Sequence, residues 1–174
     1  KAFSERFYHK ICGGHLAPVL ETLRYLHHHT SVWLEITTLL IPGENDSDSE
    51  ILAMCDWIGR ELGPDVPLHF TAFHPDFQFL DKPRTPLAVL LHARELALAC
   101  GLHHVYIGNA HDRGGESSFC PGCGTLLIER NGYQLVGWTL RSGACPHCAR
   151  PLAGHFAAQP GRWGPRRLPL QFEV

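Results

Sequence analysis

Ser31-Val-Trp-Leu-Glu-Ile-Thr-Thr-Leu-Leu-Ile41 is a run of β-branched, aromatic and aliphatic residues halted by Pro42-Gly43. That composition predicts a buried strand. Just beyond it, Asp46, Ser47 and Asp48 offer a helix cap and acidic first-turn residues. Ile51, Cys55, Ile58 and Leu62 then recur on one helical face, up to Gly63-Pro64. A second strand follows at 66–73. Thr85 is placed to cap a further helix with Pro86 in its first turn and Leu87, Leu90, Leu91 and Leu98 facing inward. Gly101 ends that helix, and 104–108 reads as a third strand. Strand, helix, strand, helix, strand with short links predicts βαβ units and a parallel sheet, an α/β fold. Right-handed crossovers would put the helices on one side of a barrel or partial barrel. A doubly wound sheet is the alternative, but the Gly-rich dinucleotide turn follows none of these strands.

Upstream of the first strand, Phe3, Phe7 and Ile11 are spaced for one helical face, and Gly13-Gly14 stops it. Pro18 suits the first turn of a second helix whose apolar face is Val19, Leu23 and Leu26. His27, His28 and His29 close it; consecutive helical residues point in different directions, which fits a solvated helix end better than a metal site. The chain opens at Lys1 inside an amphipathic pattern with no initiator Met, so a piece of a longer protein is expected.

Downstream lies Cys120-Pro-Gly-Cys123-Gly124, then twenty residues, then Cys145-Pro-His-Cys148-Ala149. Two Cys-x-x-Cys pairs can supply four thiolates to one tetrahedral ion, which closes its coordination shell and makes it structural. Disulfide or redox chemistry and an iron–sulfur centre are the alternatives. Between the pairs, apolar runs flank Asn131-Gly132, a hairpin signal. A zinc-ribbon-like β extension is therefore expected. The boundaries read as 1–112 for the barrel portion, 113–156 for the metal module and 157–174 for an irregular tail.

The totals exclude several classes. At 174 residues the chain suffices for one core and a small appendage. A formal net charge of −2 leaves no overall footprint for nucleic acid. No apolar run reaches the length of a membrane span. Seven cysteines, an odd number, with Cys12, Cys55 and Cys100 in helical patterns, suggest reduced thiols and a cytoplasmic setting.

Barrel chemistry gathers where strands end. The first strand carries Glu35, Thr37 and Thr38, the second His69 and Thr71 before leaving through His74, and the third leaves through Asn109, His111 and Asp112. Alternation puts Glu35, Thr37 and Leu39 on one face, and His69, Thr71 and Phe73 on one face. The catalytic candidates are Glu35, Thr37, His69 and His111. A metal-dependent hydrolase using His69, His74, His111 and Asp112 is one option, although neither His-x-His nor His-Glu-x-x-His occurs. A non-enzymatic zinc module that docks a partner is another.

Three runs resemble radical S-adenosylmethionine enzymes related to the pyruvate formate-lyase activating enzyme. They are Leu34-Glu-Ile-Thr-Thr-Leu-Leu-Ile-Pro-Gly-Glu-Asn-Asp-Ser47, Leu68-His-Phe-Thr-Ala-Phe-His-Pro-Asp-Phe77 and Tyr106-Ile-Gly-Asn-Ala-His-Asp112. With the first cysteine knuckle they are similar to the radical enzyme of the AmmeMemoRadiSam system. The resemblance implies the carboxyl-terminal part of a partial (β/α)6 barrel, with S-adenosylmethionine and a [4Fe–4S] cluster as cofactors and a protein of the same system as a possible substrate or partner. It also implies that Lys1 and His74 contact S-adenosylmethionine. The family's Cys-x-x-x-Cys-x-x-Cys loop is not in this chain, so its cluster ligands would lie upstream and the chain alone would be inactive. Ala149 stands where the second knuckle usually has glycine.

Overall fold

In the computed structural model, residues 1–161 are described, and they form two compact units divided between Glu116 and Ser117. The part of the tail at 162–174 lies outside the described residues.

The first unit is built on a three-stranded parallel sheet in the order β1 (Ile36–Leu40), β2 (Leu68–Ala72), β3 (Val105–Gly108). The helix α3 (Asp48–Glu61) connects β1 to β2, and α4 (Leu87–Ala99) connects β2 to β3. The register runs Thr37–His69–Tyr106 and Leu39–Thr71–Gly108 across the sheet. Alternate side chains Leu40, Leu68, Phe70, Ala72, Val105 and Ile107 join Ile51, Met54, Cys55, Trp57 and Ile58 of α3 and Leu90, Ala93 and Ala97 of α4 in one buried cluster. Both crossover helices therefore cover the same face. The sheet is small and singly wound, and the described residues do not make a partial barrel.

Local chemistry sets most of these boundaries. The Ser47 hydroxyl accepts from the Glu50 amide at 3.4 Å and caps α3, with Asp48 and Glu50 in its first turn. Asn45 is a buried hub at the end of β1. Its carboxamide oxygen accepts from the Ile41 amide, and its nitrogen donates to the carbonyls of Leu39 and Lys1. Lys1 is thereby fastened beside the carboxyl end of the strand.

Four expectations need correction. Thr85 does not cap α4; it is buried, accepts from the Phe73 amide at 2.9 Å and donates to the Leu40 carbonyl at 2.6 Å, tying the ends of β1 and β2 together. The inward face of α4 is Leu90, Ala93 and Ala97, whereas Leu87 and Leu98 are exposed, because close helix-to-sheet packing favours small residues at the contact. In α2 (Leu16–His29) it is Leu20 and Leu23 that pack on the core, and Val19 is exposed. The short α1 (Glu5–Phe7) widens into a π-turn over Tyr8–Cys12, which adds a residue per turn. The apolar face rotates accordingly: Tyr8 turns in and Ile11 turns out.

The second unit is an antiparallel ribbon of β4 (Ser118–Phe119), β5 (Leu126–Asn131) and β6 (Gln134–Trp138), turning at Asn131-Gly132. Its core is small: Cys120, Leu127, Ile128, Leu140, Cys145 and Leu152, with Leu135, Trp138 and Phe156 packed against them. Units this small usually need a metal or disulfides to stay folded. The short α5 (Arg113–Glu116) closes the first unit.

Charge is divided unevenly between the two. Residues 1–116 hold nine Lys and Arg against fifteen Asp and Glu, a formal −6, whereas 117–174 hold six Arg against two Glu, a formal +4. Among the described residues no helix is long and apolar enough to cross a membrane.

Candidate functional site

The four ribbon cysteines converge. Their sulfurs all lie within 4.8 Å of one another, with Cys120 to Cys148 at 3.4 Å and Cys123 to Cys145 at 3.6 Å. Four thiolates bound tetrahedrally at about 2.3 Å from an ion stand about 3.8 Å apart, so the set has the span of a metal site. Cys120 and Cys145 are buried, and Cys123 and Cys148 are exposed.

Each pair sits on the same backbone device. In the first knuckle the Cys120 amide donates to the Thr125 carbonyl and the Gly124 amide to the Cys120 carbonyl. In the second, the Cys145 amide donates to the Arg150 carbonyl and the Ala149 amide to the Cys145 carbonyl. The amides of Gly122 and His147 point at the Cys120 and Cys145 sulfurs, each at 3.4 Å. Such donors stabilise thiolate. Gly124 and Ala149 occupy the matching left-handed position, at φ 72° and 61°. Ala149 thus keeps the turn that glycine usually makes, against its Cβ preference.

Ionisation follows the geometry. The Thr125 hydroxyl, 3.1 Å from Cys123, and the Thr125 backbone bring that thiol down to about 6. At Cys148 the Arg150 backbone favours the thiolate, but hydrogen bonding with the Cys120 and Cys123 thiols outweighs it and pushes the group up to about 12. Full ionisation of four sulfurs at this spacing needs a cation between them.

The second cluster lies on the sheet face opposite α3 and α4. The Glu35 carboxylate accepts from Trp33 Nε1 at 2.8 Å through one oxygen, and its other oxygen lies 2.8 Å from His69 Nε2. The His69 ring stacks on Tyr106, with centroids 5.1 Å apart and planes 28° off parallel. Thr37 shares the register row of His69 and Tyr106. Residue parity along one strand places Glu35 with Thr37 but gives no sign of Trp33 or Tyr106 beside them. Tyr106 joins His69 through the parallel register of β2 and β3, which the sequence alone does not set.

The strand-end candidates do not assemble with this cluster. His74 is exposed just past β2, with Nδ1 3.2 Å from the Pro75 carbonyl. His111 is exposed, 3.7 Å from Glu116. Asp112 is occupied as a helix cap: its carboxylate accepts from the Gly115 amide, while its amide donates to Glu116. Among the described residues, only the four cysteines bring three or more His, Cys, Asp or Glu groups together at ligand spacing. Among the described residues His69, His74, His111 and Asp112 are not gathered at ligand spacing, each being directed to a different local partner or to solvent.

Comparison with known proteins adds one relative. The chain is 40% identical over 148 residues to "Uncharacterized protein MJ0808" of Methanocaldococcus jannaschii, a match covering 84% of this chain. The chain spans 44% of that relative's length. No family model matches the chain. No solved structure matches it either.

Proposed function

We propose that this chain is the carboxyl-terminal part of a cytoplasmic radical S-adenosylmethionine enzyme of the AmmeMemoRadiSam type, carrying a structural zinc in its four-cysteine ribbon. The observation that carries the reading is the singly wound parallel sheet, covered by helices on one face and lined by Glu35, Thr37, His69, Thr71 and Tyr106 on the other. A barrel buries its outer face under helices and turns the other inward, and a catalytic barrel has a use for polar groups there. Completing six βα units from three requires a segment beyond this chain.

The residues present suit part of the cofactor set. His74 is exposed at the carboxyl end of β2, and Lys1 is fastened to the carboxyl end of β1 through Asn45. An imidazole and an ammonium there would hold the methionyl carboxylate of S-adenosylmethionine through charge-assisted bonds. When bound beside a reduced [4Fe–4S] cluster, that cofactor supplies a 5′-deoxyadenosyl radical for hydrogen abstraction. The cluster's ligands fall to residues outside this chain. Cys55 is buried, and burial pushes its thiol up to about 12, which disfavours a ligating thiolate. Cys12 and Cys100 are exposed and, among the described residues, belong to no ligand cluster. The ribbon's four sulfurs fill one tetrahedral site and leave no open position.

The test uses the full-length protein, reconstituted anaerobically with iron and sulfide. It is expected to cleave S-adenosylmethionine to methionine and 5′-deoxyadenosine, and His74→Ala is expected to weaken cofactor binding. A full-length chain lacking a three-cysteine loop upstream of Lys1 sinks the reading. A non-enzymatic module that docks a protein through its zinc ribbon is the second reading, supported by the ribbon's separate core; absence of cofactor cleavage with metal still bound would favour it.

A further inference from the structure

The sheet face opposite α3 and α4 is built in rows. Thr37, His69 and Tyr106 form one row, and Leu39, Thr71 and Gly108 form the next toward the carboxyl ends of the strands. Closed barrels fill such rows with bulky branched side chains. Here Leu39 of the upper row packs against the cluster of Ala2, Phe7, Tyr8, Ile41 and Phe73, while its threonine and glycine leave small residues beside the stacked rings of His69 and Tyr106. His69 is 29% exposed at its side chain and Glu35 47%.

Hydrogen-bond polarity then fixes which nitrogen of His69 is which. Trp33 Nε1 can only donate, so it claims one Glu35 oxygen as acceptor. The other oxygen of an ionised Glu35 can only accept, so His69 Nε2 carries the proton in the 2.8 Å contact. In the neutral ring that leaves Nδ1 with a bare lone pair, and Nδ1 has no partner within the described residues. A carboxylate holding one imidazole nitrogen while the other keeps its lone pair is the arrangement that orients a general base.

We propose that His69 is a proton acceptor at the floor of a substrate site on the sheet face opposite α3 and α4, with Glu35 as its positioning residue and Tyr106 as the platform that holds the ring. Its ligand is a substrate group with a proton to give, a hydroxyl or an ammonium. The proton passes from that group to His69 Nδ1. The resulting imidazolium is stabilised by Glu35, and the substrate keeps the electron pair. As a site for the substrate of the radical enzyme, this inference rests on the function proposed above.

The test exploits Trp33. In Glu35→Gln the amide oxygen is claimed by the tryptophan donor, so the amide nitrogen faces His69 Nε2 and donates to it. The ring must then carry its proton on Nδ1, which turns that acceptor into a donor. Two-bond proton–nitrogen NMR correlations on the chain labelled with ¹⁵N-histidine, recorded above the ordinary imidazole pKa of about 6.5 and assigned with His69→Gln, read this directly. The wild type is expected to show protonated Nε2 and bare Nδ1, and Glu35→Gln the reverse. Diethyl pyrocarbonate, which needs an accessible imidazole lone pair, is expected to modify His69 in the wild type. Glu35→Gln should slow that reaction on the order of tenfold or more, the direction in which a wrong tautomer disables a catalytic histidine. A wild-type ring protonated on Nδ1, an unchanged tautomer in Glu35→Gln, or a His69 inert to the reagent overturns the proposal. Neither measurement involves the cluster or S-adenosylmethionine, so failure of the radical reading registers separately, as absent cofactor cleavage.

Discussion

Replacing Ala149 by glycine is expected to tighten metal binding by the ribbon, and replacing Gly124 by alanine to loosen it. The two residues fill the same left-handed position in two copies of one knuckle, at φ 61° and 72°. A Cβ in that region costs about 1–2 kcal/mol, and the greater freedom of glycine in the unfolded chain returns about 0.4–1 kcal/mol. The net preference for glycine is therefore about 0.5–1 kcal/mol at each site. Sterics add nothing at Gly124, because no heavy atom lies within 4 Å of where its Cβ would be. Folding of so small a unit is coupled to its metal, so the difference should appear as roughly a two- to fivefold change in zinc affinity. Competition for zinc against a chromophoric chelator measures it. If Ala149→Gly weakens binding, or if Gly124→Ala costs nothing, the equivalence of the knuckles is wrong.

Further expectations concern metal, core and pH. The reduced chain should hold about one zinc, and chelation should erase amide dispersion from 117–161 while the sheet's signals persist; a chain that unfolds throughout would contradict two separate cores. Thr85→Val strands the Leu40 carbonyl and the Phe73 amide in the interior, and should cost about 2–4 kcal/mol in urea unfolding. A loss below half a kilocalorie, about the level of a surface change, would mean that water replaces the hydroxyl. Lys82, 2.6 Å from Glu44, holds that carboxyl below its usual range, while Glu44 holds the Lys82 ammonium above its own. The carboxylate's contribution is present above the ordinary Glu value of about 4.3 and is lost as pH falls through the lowered folded value. Lys82→Met should therefore lower Tm at pH 6 and converge on wild type in strong acid; a deficit that stays constant down to pH 2 assigns the effect to packing instead.

Much of the architecture could be read from residue order because the signals were local. Pro42-Gly43, Ser47 and Gly63 mark ends that their own backbone chemistry enforces, and Asn131-Gly132 makes a hairpin with little outside help. Cysteine spacing points to the four-sulfur cluster for the same reason: each knuckle is held by bonds spanning five residues or fewer. What escaped was tertiary. Thr85 looks like a cap in sequence, yet two strand ends nearby needed a hydroxyl more. The π-turn at Tyr8–Cys12 moved Ile11 off a face that regular helical spacing assigned to it. The Glu35–His69 pair joins residues 34 positions apart, and only the parallel register brings them together.

The uneven division of charge has a consequence for handling the protein. The total of −2 and a sequence pI near 6.7 conceal an uneven division along the chain, a formal −6 over residues 1–116 and +4 over 117–174. A divalent ion among four thiolates contributes −2, so loading the ribbon lowers its excess to about +2 and softens the contrast. Opposite signs on one chain favour attraction between copies at low ionic strength. Stripped of metal at neutral pH and low ionic strength, the protein has both its weakest net repulsion and its largest internal contrast. Moderate salt, with a screening length of about 8 Å at physiological strength, should disperse it, and metal loading should act in the same direction.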